Sequence, residues 1–526
     1  MTSRDPSSEA PTMGQRIREF AGADGSGWSS VADADRLLIV LIAGFFATLP
    51  IANLLTIDLG FPLTIAHLFA AAIAVTLLWR DRLRPRIVTW LPASLLAAFC
   101  IVYAVSFVLN LGSPLPHYSW ATGRNAPEIR SVTKVLWLFG NVVIALVIAN
   151  AVRRTSSERV AIRALAIGAV AATLYGLYQV IGGTYGFFVP LLPGSGPIVG
   201  QPSHWIVLRA KGMFLEPNFF GSYLASAIPF VAVGWISFRA QKVRGGRTAA
   251  VVLPLTVAGV IVTFAIGGWL PAALAGLVLL ALSGLVGARA LFVRFGTAAI
   301  VATIAMAILI PNFPRAASAL VYKGALSTGA ATTDDTGPTA APGATGRPGT
   351  SPGASPTPSP EETLRPEDAQ ISVEERSALS QAAISMFRSS PIIGVGPGNF
   401  GFRYDEFRPV GAPAPSQLFI ATNIYAELLA ESGILGFVTF LIGFLGLAGL
   451  AVRRAFQARG MERLELAAGV AAMAAMAIAF VASPTFTLLY QWAILGLVSA
   501  LVVRGGHVRR TAEPPTEPAP GGTAAS

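Results

Sequence analysis

The chain has 526 residues, of which 53% are hydrophobic and 12% are charged. Soluble domains carry about 25% charged residues, so this composition excludes an ordinary soluble globular protein. The formal net charge is +11, but most of the basic residues lie in alternate loops between apolar runs. This placement follows the bias that sets membrane topology, with some attraction to anionic membrane lipids, and it argues against nucleic acid as a partner.

Apolar runs long enough to cross a bilayer as helices recur along the chain. They predict an all-α, polytopic membrane protein with about 12 transmembrane helices. The basic loops place the tails 1–35 and 504–526 on the cytoplasmic side, so we expect a multi-pass protein of the cytoplasmic membrane with both termini inside. The predicted spans are 36–57, 59–79, 88–111, 132–152, 160–181, 218–238, 249–266, 268–287, 295–311, 425–451, 464–483 and 486–503.

Cysteine and histidine usage bears on cofactors. The single cysteine, Cys100, cannot form an intrachain disulfide. Four histidines without a cysteine cluster argue against a dedicated transition-metal site. We therefore expect neither a metal nor another cofactor.

Three sizeable loops are predicted outside the cell, at 112–131, 182–217 and 312–424. The third is the largest. Its residues 325–370 are rich in Gly, Ala, Thr, Ser and Pro and should be disordered, because they have little to bury. Such a tract can carry O-linked sugar or act as a plain tether.

The second part of the large loop has a different amino-acid pattern. Leu379, Ala383 and Met386 recur at helical spacing and predict an amphipathic helix over 372–389 lying on the membrane. Ser372 and Glu375 have the spacing of a capping box at its start. A glycine-rich turn follows over 391–400; such a turn can present N–H groups to an anion, although most are only turns.

Cationic side chains in the outside loops are not explained by the topology bias. Arginine stays charged and binds phosphate oxygens in a bidentate way, which suits a lipid diphosphate at the membrane face. The alternative is that these are solvated charges paired with neighbouring carboxylates. The candidate substrate-binding cations are Arg209, Lys211, Arg376, Arg388 and Arg403.

Two carboxylates and one histidine are the catalytic candidates. Glu427 and Glu431 lie four residues apart on one helix face, at the outer edge of the span 425–451. Carboxylates at that depth are costly and are functional candidates, either to accept a proton from an acceptor hydroxyl or to pair with an arginine. The simpler interpretation is a helix-start charge favoured by the helix dipole. His204 is the histidine near the loop cations.

Three motifs in the second half of the chain stand in a specific order. RAKGMFLEPNFFGSYLA begins at Arg209, ERSALSQAAISMFRSSPIIGVGPGNF carries Arg376 at its start, and TNIYAELLAESGILG begins at Thr422. Together they resemble the O-antigen ligase and polymerase superfamily of bacterial surface-polysaccharide enzymes. The resemblance adds three asparagines to the candidate substrate-binding residues, Asn218, Asn399 and Asn423.

The resemblance implies a GT-C-like, metal-independent membrane glycosyltransferase. Its donor would be a polyprenyl-diphosphate-linked oligosaccharide and its acceptor a glycan or lipid-linked glycan, polymerised or ligated on the outer face of the cytoplasmic membrane. Other polysaccharide-assembly proteins would be partners. Physically this fits, since the main demand is to neutralise a diphosphate leaving group while a hydroxyl attacks.

The chain departs from the family pattern at two places. The family has a histidine directly before the motif asparagine, where this chain has Thr422, and a Ser-Arg pair between two central spans, where it has Gly267 and Gly268. The base therefore stays open between His204, Glu427 and Glu431, or the reaction uses positioning and charge neutralisation alone.

Two other functions compete with a glycosyltransferase. A lipid-linked glycan flippase or transporter predicts ionisable residues along the interior of the membrane, whereas nearly all charge here lies in loops and span ends. A catalytically inactive relative that acts as a scaffold of a polysaccharide assembly complex is favoured by Thr422.

Overall fold

The structure is a computed structural model and describes residues 33–51, 57–58, 62–80, 91–116, 118, 126–191, 196–197, 208–240, 248–311, 313–314, 317, 366–412, 419–482 and 487–510. In these ranges the fold is helical apart from one antiparallel pair of two-residue strands, β1 (Ile57–Asp58) and β2 (Pro62–Leu63), with Ile57 opposite Leu63. The predicted all-α class is confirmed.

Helices make up nearly all of the regular structure in the described ranges. In chain order they are α1 (Asp33–Thr48), α2 (Ile65–Arg80), α3 (Leu91–Leu109), α4 (Pro127–Thr155), α5 (Glu158–Thr184), α6 (Pro217–Ala240), α7 (Thr248–Ile261), α8 (Ile266–Ser283), α9 (Leu285–Leu309), α10 (Pro366–Ser389), α11 (Phe400–Phe407), α12 (Ile424–Gln457), α13 (Gly460–Ala482) and α14 (Leu489–Arg510). Each predicted span overlaps one of them, while α10 and α11 fall in the predicted third loop.

Several of these helices suit a membrane by length and composition. Among the described residues, 6 helices are long and apolar enough to cross a bilayer: Pro127–Thr155, Glu158–Thr184, Ile266–Ser283, Phe292–Leu309, Ile424–Gln457 and Gly460–Ala482. Shorter apolar helices are Ile65–Arg80, Leu96–Leu109, Val251–Ile261 and Leu489–Arg504. The number of 12 crossings stays a prediction.

The first two predicted spans were placed wrongly at their shared boundary. The prediction ended the first span at 57 and began the second at 59, whereas α1 ends at Thr48 and α2 begins at Ile65. Pro50 disfavours the helical conformation of the residue before it, so the helix stops although the sequence remains apolar. Hydropathy alone does not detect this end.

Helix α6 lies at the centre of the bundle, packed against α5, α7, α8 and α13. Its contact with α8 is especially close at two glycines: a Cβ built on Gly221 would lie 2.9 Å from the Cα of Gly268. Small residues at a helix interface let the two backbones approach, which is the common packing mode of membrane helices. This contact fixes the starts of α6 and α8 beside each other.

The bundle has two ends of different character. At the first, which we call the basic end, Arg159 binds the buried Glu465 at 3.1 Å and Arg504 binds it at 3.4 Å, joining α5, α13 and α14. At the other, which we call the loop end, α4, α6 and α12 begin and α10 packs against α12. The predicted site residues that the structure describes all belong to segments at the loop end.

Candidate functional site

Helix α10 covers the first part of α12. It begins at Pro366, before the predicted start at 372, so residues 366–370, which were predicted to be disordered, are helical. Residues 325–365 lie outside the described residues. The face of α10 that meets α12 includes Leu379, Ala383 and Met386, which are 4%, 0% and 0% exposed. These are the residues whose spacing predicted the helix.

The glycine-rich turn after α10 is a support for α12. The N–H of Gly394 donates to the Ser390 carbonyl at 3.0 Å, that of Val395 to Ala430 at 2.8 Å, and that of Gly396 to Glu431 at 3.1 Å. These amides are therefore occupied by protein carbonyls and are not an open cradle for an anion. Gly394 has φ +71, and a Cβ there would collide with the α12 backbone at Glu431.

Helix α12 is interrupted where the turn meets it. Gly433 has φ 63 and ψ −166, outside the helical region. The amides after the break bond to the turn instead, Ile434 N to Pro391 O at 2.8 Å and Leu435 N to Ile392 O at 3.3 Å. The first part of α12 is thus a separate short helix held in place by the turn.

Arg209 lies in the segment before α6 and is held by the connection between α7 and α8. Its Nε donates to the Thr263 carbonyl at 3.2 Å, and the next residue, Ala210, donates its N–H to Val262 O at 2.9 Å. The backbone bond of Ala210 and the side-chain bond of Arg209 together hold the Arg209 guanidinium at the loop end.

The structure brings Arg209 and Arg376 together. The pKa of Arg209 is lowered to about 10, mainly by burial and then by the charge of Arg376, with the carboxylate of Glu216 acting in the opposite direction. Burial also lowers the pKa of Arg376, against the opposing effect of Glu216 and Glu375. Two like charges at a desolvated position repel each other, so an anion bound between them would be favoured.

The Arg209 segment is also fixed from the side of α5. Gln179, which is fully buried, accepts hydrogen bonds from the N–H groups of Lys211 at 3.2 Å and Gly212 at 2.9 Å, and donates to Gly212 O at 2.8 Å. Burial lowers the pKa of the Lys211 ammonium. Gly212 has φ +57 and faces Phe220, where a Cβ would lie 2.9 Å from the ring.

The two predicted carboxylates form a buried cluster with a lysine that the sequence interpretation did not select. Lys134 on α4 donates to Glu427 Oε1 and, at 2.6 Å, to Glu431 Oε2. Tyr103 on α3 donates to the same Glu431 oxygen at 3.0 Å. Arg130, one turn before Lys134, interacts electrostatically with both carboxylates. We call these residues the lysine–carboxylate cluster.

Two of the three candidate asparagines, Asn399 and Asn423, hold the backbone or other side chains. Asn399 is buried, accepts from Ser131 Oγ at 3.0 Å and donates to Val395 O at 2.9 Å. Asn423 caps α12, its Oδ1 accepting from Tyr425 N at 3.0 Å. Asn218 Oδ1 lies 3.4 Å from the place that a Cβ on Gly267 would take.

The remaining candidates are less closely associated with the arginine pair. Arg388 is exposed at the end of α10. Arg403 on α11 is half-buried, and its Nε is buried without a hydrogen-bond partner among the described residues. His204 lies outside the described residues. Within the described residues, no group of 3 His, Cys, Asp or Glu side chains could hold a metal ion.

The sequence carries signals for some of the site residues that were not predicted from it. Lys134 is a cation inside the predicted span 132–152, where charge is costly and marks function. Tyr103 and Ser106 on α3 and Asn110 directly after it recur at helical spacing, and this polar stripe faces α12 and the glycine-rich turn. Gln179 is a polar residue inside an apolar span, but its partners follow only from the fold.

Comparison with known proteins gives one family match. Residues 221–441 match a family described as O-antigen ligase. The resemblance to the O-antigen ligase and polymerase superfamily is confirmed over this range. The match spans α10, the glycine-rich turn and the start of α12, and begins after Arg209 and Asn218. No curated protein matches the chain.

The family match adds a coarse functional statement to the fold. The apolar helices and the O-antigen ligase match together indicate an integral membrane protein. At the level of the family, they indicate a ligase or polymerase that works in polysaccharide biosynthesis.

Proposed function

We propose that this protein transfers glycan from a polyprenyl-diphosphate-linked oligosaccharide to a glycan or lipid-linked glycan acceptor, by polymerisation or ligation. The reaction takes place on the outer face of the cytoplasmic membrane, with the loop end of the bundle outside. It uses no metal, because arginine side chains neutralise the diphosphate that leaves. The family match at residues 221–441 supports the class of reaction.

The observation that carries the proposal is the pairing of Arg209 with Arg376. The two residues are distant in sequence and lie on different elements, yet the charge of one lowers the pKa of the other. A half-buried pair of guanidinium groups is costly without an anion and suits a diphosphate, whose oxygens accept bidentate hydrogen bonds. In the transition state the negative charge on the leaving diphosphate grows, so these groups stabilise it more than they stabilise the bound donor.

The lysine–carboxylate cluster supplies the acceptor side of the reaction. Either Glu427 or Glu431 orients the attacking hydroxyl or accepts its proton. Both lie at the start of α12, beside Ala426 and Ala430, which pack against α10, the helix that carries Arg376. The carboxylates on α12 and Arg376 on α10 therefore lie on the two helices of one interface.

The test compares Arg209→Ala and Arg376→Ala with Arg459→Ala, an exposed arginine at the basic end. Each site variant loses charge-assisted hydrogen bonds worth about 1.5–3 kcal/mol each, so we expect turnover of purified enzyme on lipid-linked oligosaccharide to fall about 10- to 100-fold. Arg459→Ala should keep wild-type turnover.

Binding of inorganic diphosphate provides a second measurement that does not depend on the glycan. It should raise the Tm of the wild type and of Arg459→Ala, because a ligand that binds only the folded state stabilises it. It should raise the Tm of the two site variants less. The proposal would be contradicted if both site variants kept wild-type turnover and showed the same increase in Tm with diphosphate as the wild type. Movement of the lipid across the bilayer without longer glycan products would favour a flippase.

A further inference from the structure

The two carboxylates of the lysine–carboxylate cluster differ in their surroundings. Glu431 accepts from both Tyr103 and Lys134 on one oxygen, and its side chain is 2% exposed. Its backbone carbonyl accepts from Ser106 Oγ at 2.8 Å and from Gly396 N at 3.1 Å. Glu431 therefore ties α12 to α3, α4 and the glycine-rich turn, and it has little room for a substrate.

Glu427 is the more accessible of the two carboxylates. Its side chain is 11% exposed, and among the described residues Lys134 is the side chain that hydrogen-bonds to it, through Oε1. The Lys134 ammonium thus binds Oε1 of Glu427, and Oε2 of Glu427 has no hydrogen-bond partner in the described part of the chain. Lys134 is itself fixed from the other side by Glu431, so its position does not depend on Glu427.

We propose, resting on the function proposed above, that Glu427 is the general base for the acceptor hydroxyl and that Lys134 is its positioning residue. The acceptor oxygen forms the new bond to the anomeric carbon of the donor. The bond from that carbon to the diphosphate oxygen breaks, and its electron pair goes to the diphosphate. The acceptor proton goes to a Glu427 carboxylate oxygen. Lys134 keeps its proton, and Glu431 is its structural counter-ion.

The first test replaces the Glu427 carboxylate by an amide of nearly the same size, which cannot accept the proton. Glu427→Gln should lower turnover at saturating lipid-linked oligosaccharide by 100-fold or more, in the range that general bases contribute. The affinity for inorganic diphosphate should stay within about two-fold of wild type, because the arginine pair is intact. Lys134→Arg should keep most of the turnover, whereas Lys134→Gln should lose at least about ten-fold with unchanged diphosphate affinity.

Charge-matched double variants guard against loss of folding, since removing one member of a buried ion pair leaves the other uncompensated. Lys134→Gln with Glu431→Gln keeps Glu427, while Lys134→Gln with Glu427→Gln keeps Glu431, and each removes one cation and one carboxylate. The first should turn over at least about ten-fold faster than the second. Equal turnover of the two folded double variants would overturn the assignment of Glu427.

The outcomes separate this inference from the function on which it rests. If Glu427→Gln keeps wild-type turnover while Arg209→Ala and Arg376→Ala lose it, the base is wrong and the transferase stands. If the two arginine variants also keep turnover and diphosphate binding, the proposed function is wrong as well.

Discussion

Single residues at the loop end show how a buried polar group can act through its neighbours. Gln179 is not one of the predicted substrate-binding residues, yet its amide oxygen accepts from the N–H groups of Lys211 and Gly212, which lie two and three residues after Arg209. Preorganised charges are effective because they need no rearrangement when the reaction takes place. We therefore expect Gln179, which holds the backbone close to Arg209, to be a positioning residue of the site.

Gln179→Leu tests this positioning role. Three buried hydrogen bonds lose their partner, and each unsatisfied group costs about 1–3 kcal/mol, so we expect a lower Tm. The Arg209 segment also loosens, so the KM for the lipid-linked donor should rise several-fold.

Tyr178→Phe is the matched control, because it removes the α5 hydroxyl that accepts a hydrogen bond at 2.9 Å from the N–H of Val189, in a different segment. Its donor KM should match that of wild type. An unchanged donor KM in folded Gln179→Leu would exclude the positioning role.

At the scale of elements, the break in α12 decides where the carboxylates lie. Gly433 departs from helical geometry, and the amides beyond it bond to the glycine-rich turn instead of to the preceding helix turn. The start of α12 can therefore take its direction from α10 and the turn while the rest of the helix crosses the bundle. Hydropathy alone predicted one continuous span at 425–451.

Gly433→Ala is expected to be strongly destabilising. Its φ of +63 is unfavourable for any residue with a Cβ, and the new methyl would collide with the backbone of Ile392. We expect a loss of about 2–4 kcal/mol in the free energy of unfolding, measured as a lowered Tm in detergent, together with loss of turnover.

Gly446→Ala in the same helix has open space around the new Cβ. It should be neutral or stabilise the protein by up to about 1 kcal/mol, since alanine is the better helix former. Equal Tm values for Gly433→Ala and Gly446→Ala would contradict the role given to the break.

At the scale of the whole molecule, charge separates the two ends of the bundle. The basic end carries the ion pairs of Arg159 and Arg504 with Glu465, and the loop end carries the arginine pair and the lysine–carboxylate cluster. From the positive-inside bias we expect the basic end in the cytoplasm and the loop end outside. This orientation decides whether the site can meet a donor on the outer face.

The single cysteine makes this orientation measurable. Cys100 is buried, and Cys100→Ser removes the native thiol. In that background, Arg388→Cys should react with a membrane-impermeant thiol reagent on intact cells, whereas Arg459→Cys should react only after the membrane is opened. The reverse pattern would place the loop end in the cytoplasm and would contradict catalysis on the outer face.

The sequence by itself determined the helical class and the approximate place of each apolar helix, because a run of apolar residues must satisfy its backbone internally wherever lipid surrounds it. It also indicated Arg209, Arg376 and the two carboxylates, since charge outside the topology pattern or at the edge of a span needs a reason. It did not indicate their partners. Lys134, Tyr103 and Gln179 each lie in a different apolar helix, and a one-dimensional pattern carries no information on which helices pack together.

The tertiary structure decided the pairings. It joined Arg209 with Arg376, gave Lys134 to both carboxylates, and turned the glycine-rich segment from a candidate anion site into the support of a broken helix. The physical reason is that charge and hydrogen-bond energies depend on distances between atoms, and here those distances are set by the packing of helices far apart in sequence. Composition fixes which groups are present, and packing decides which of them can act together.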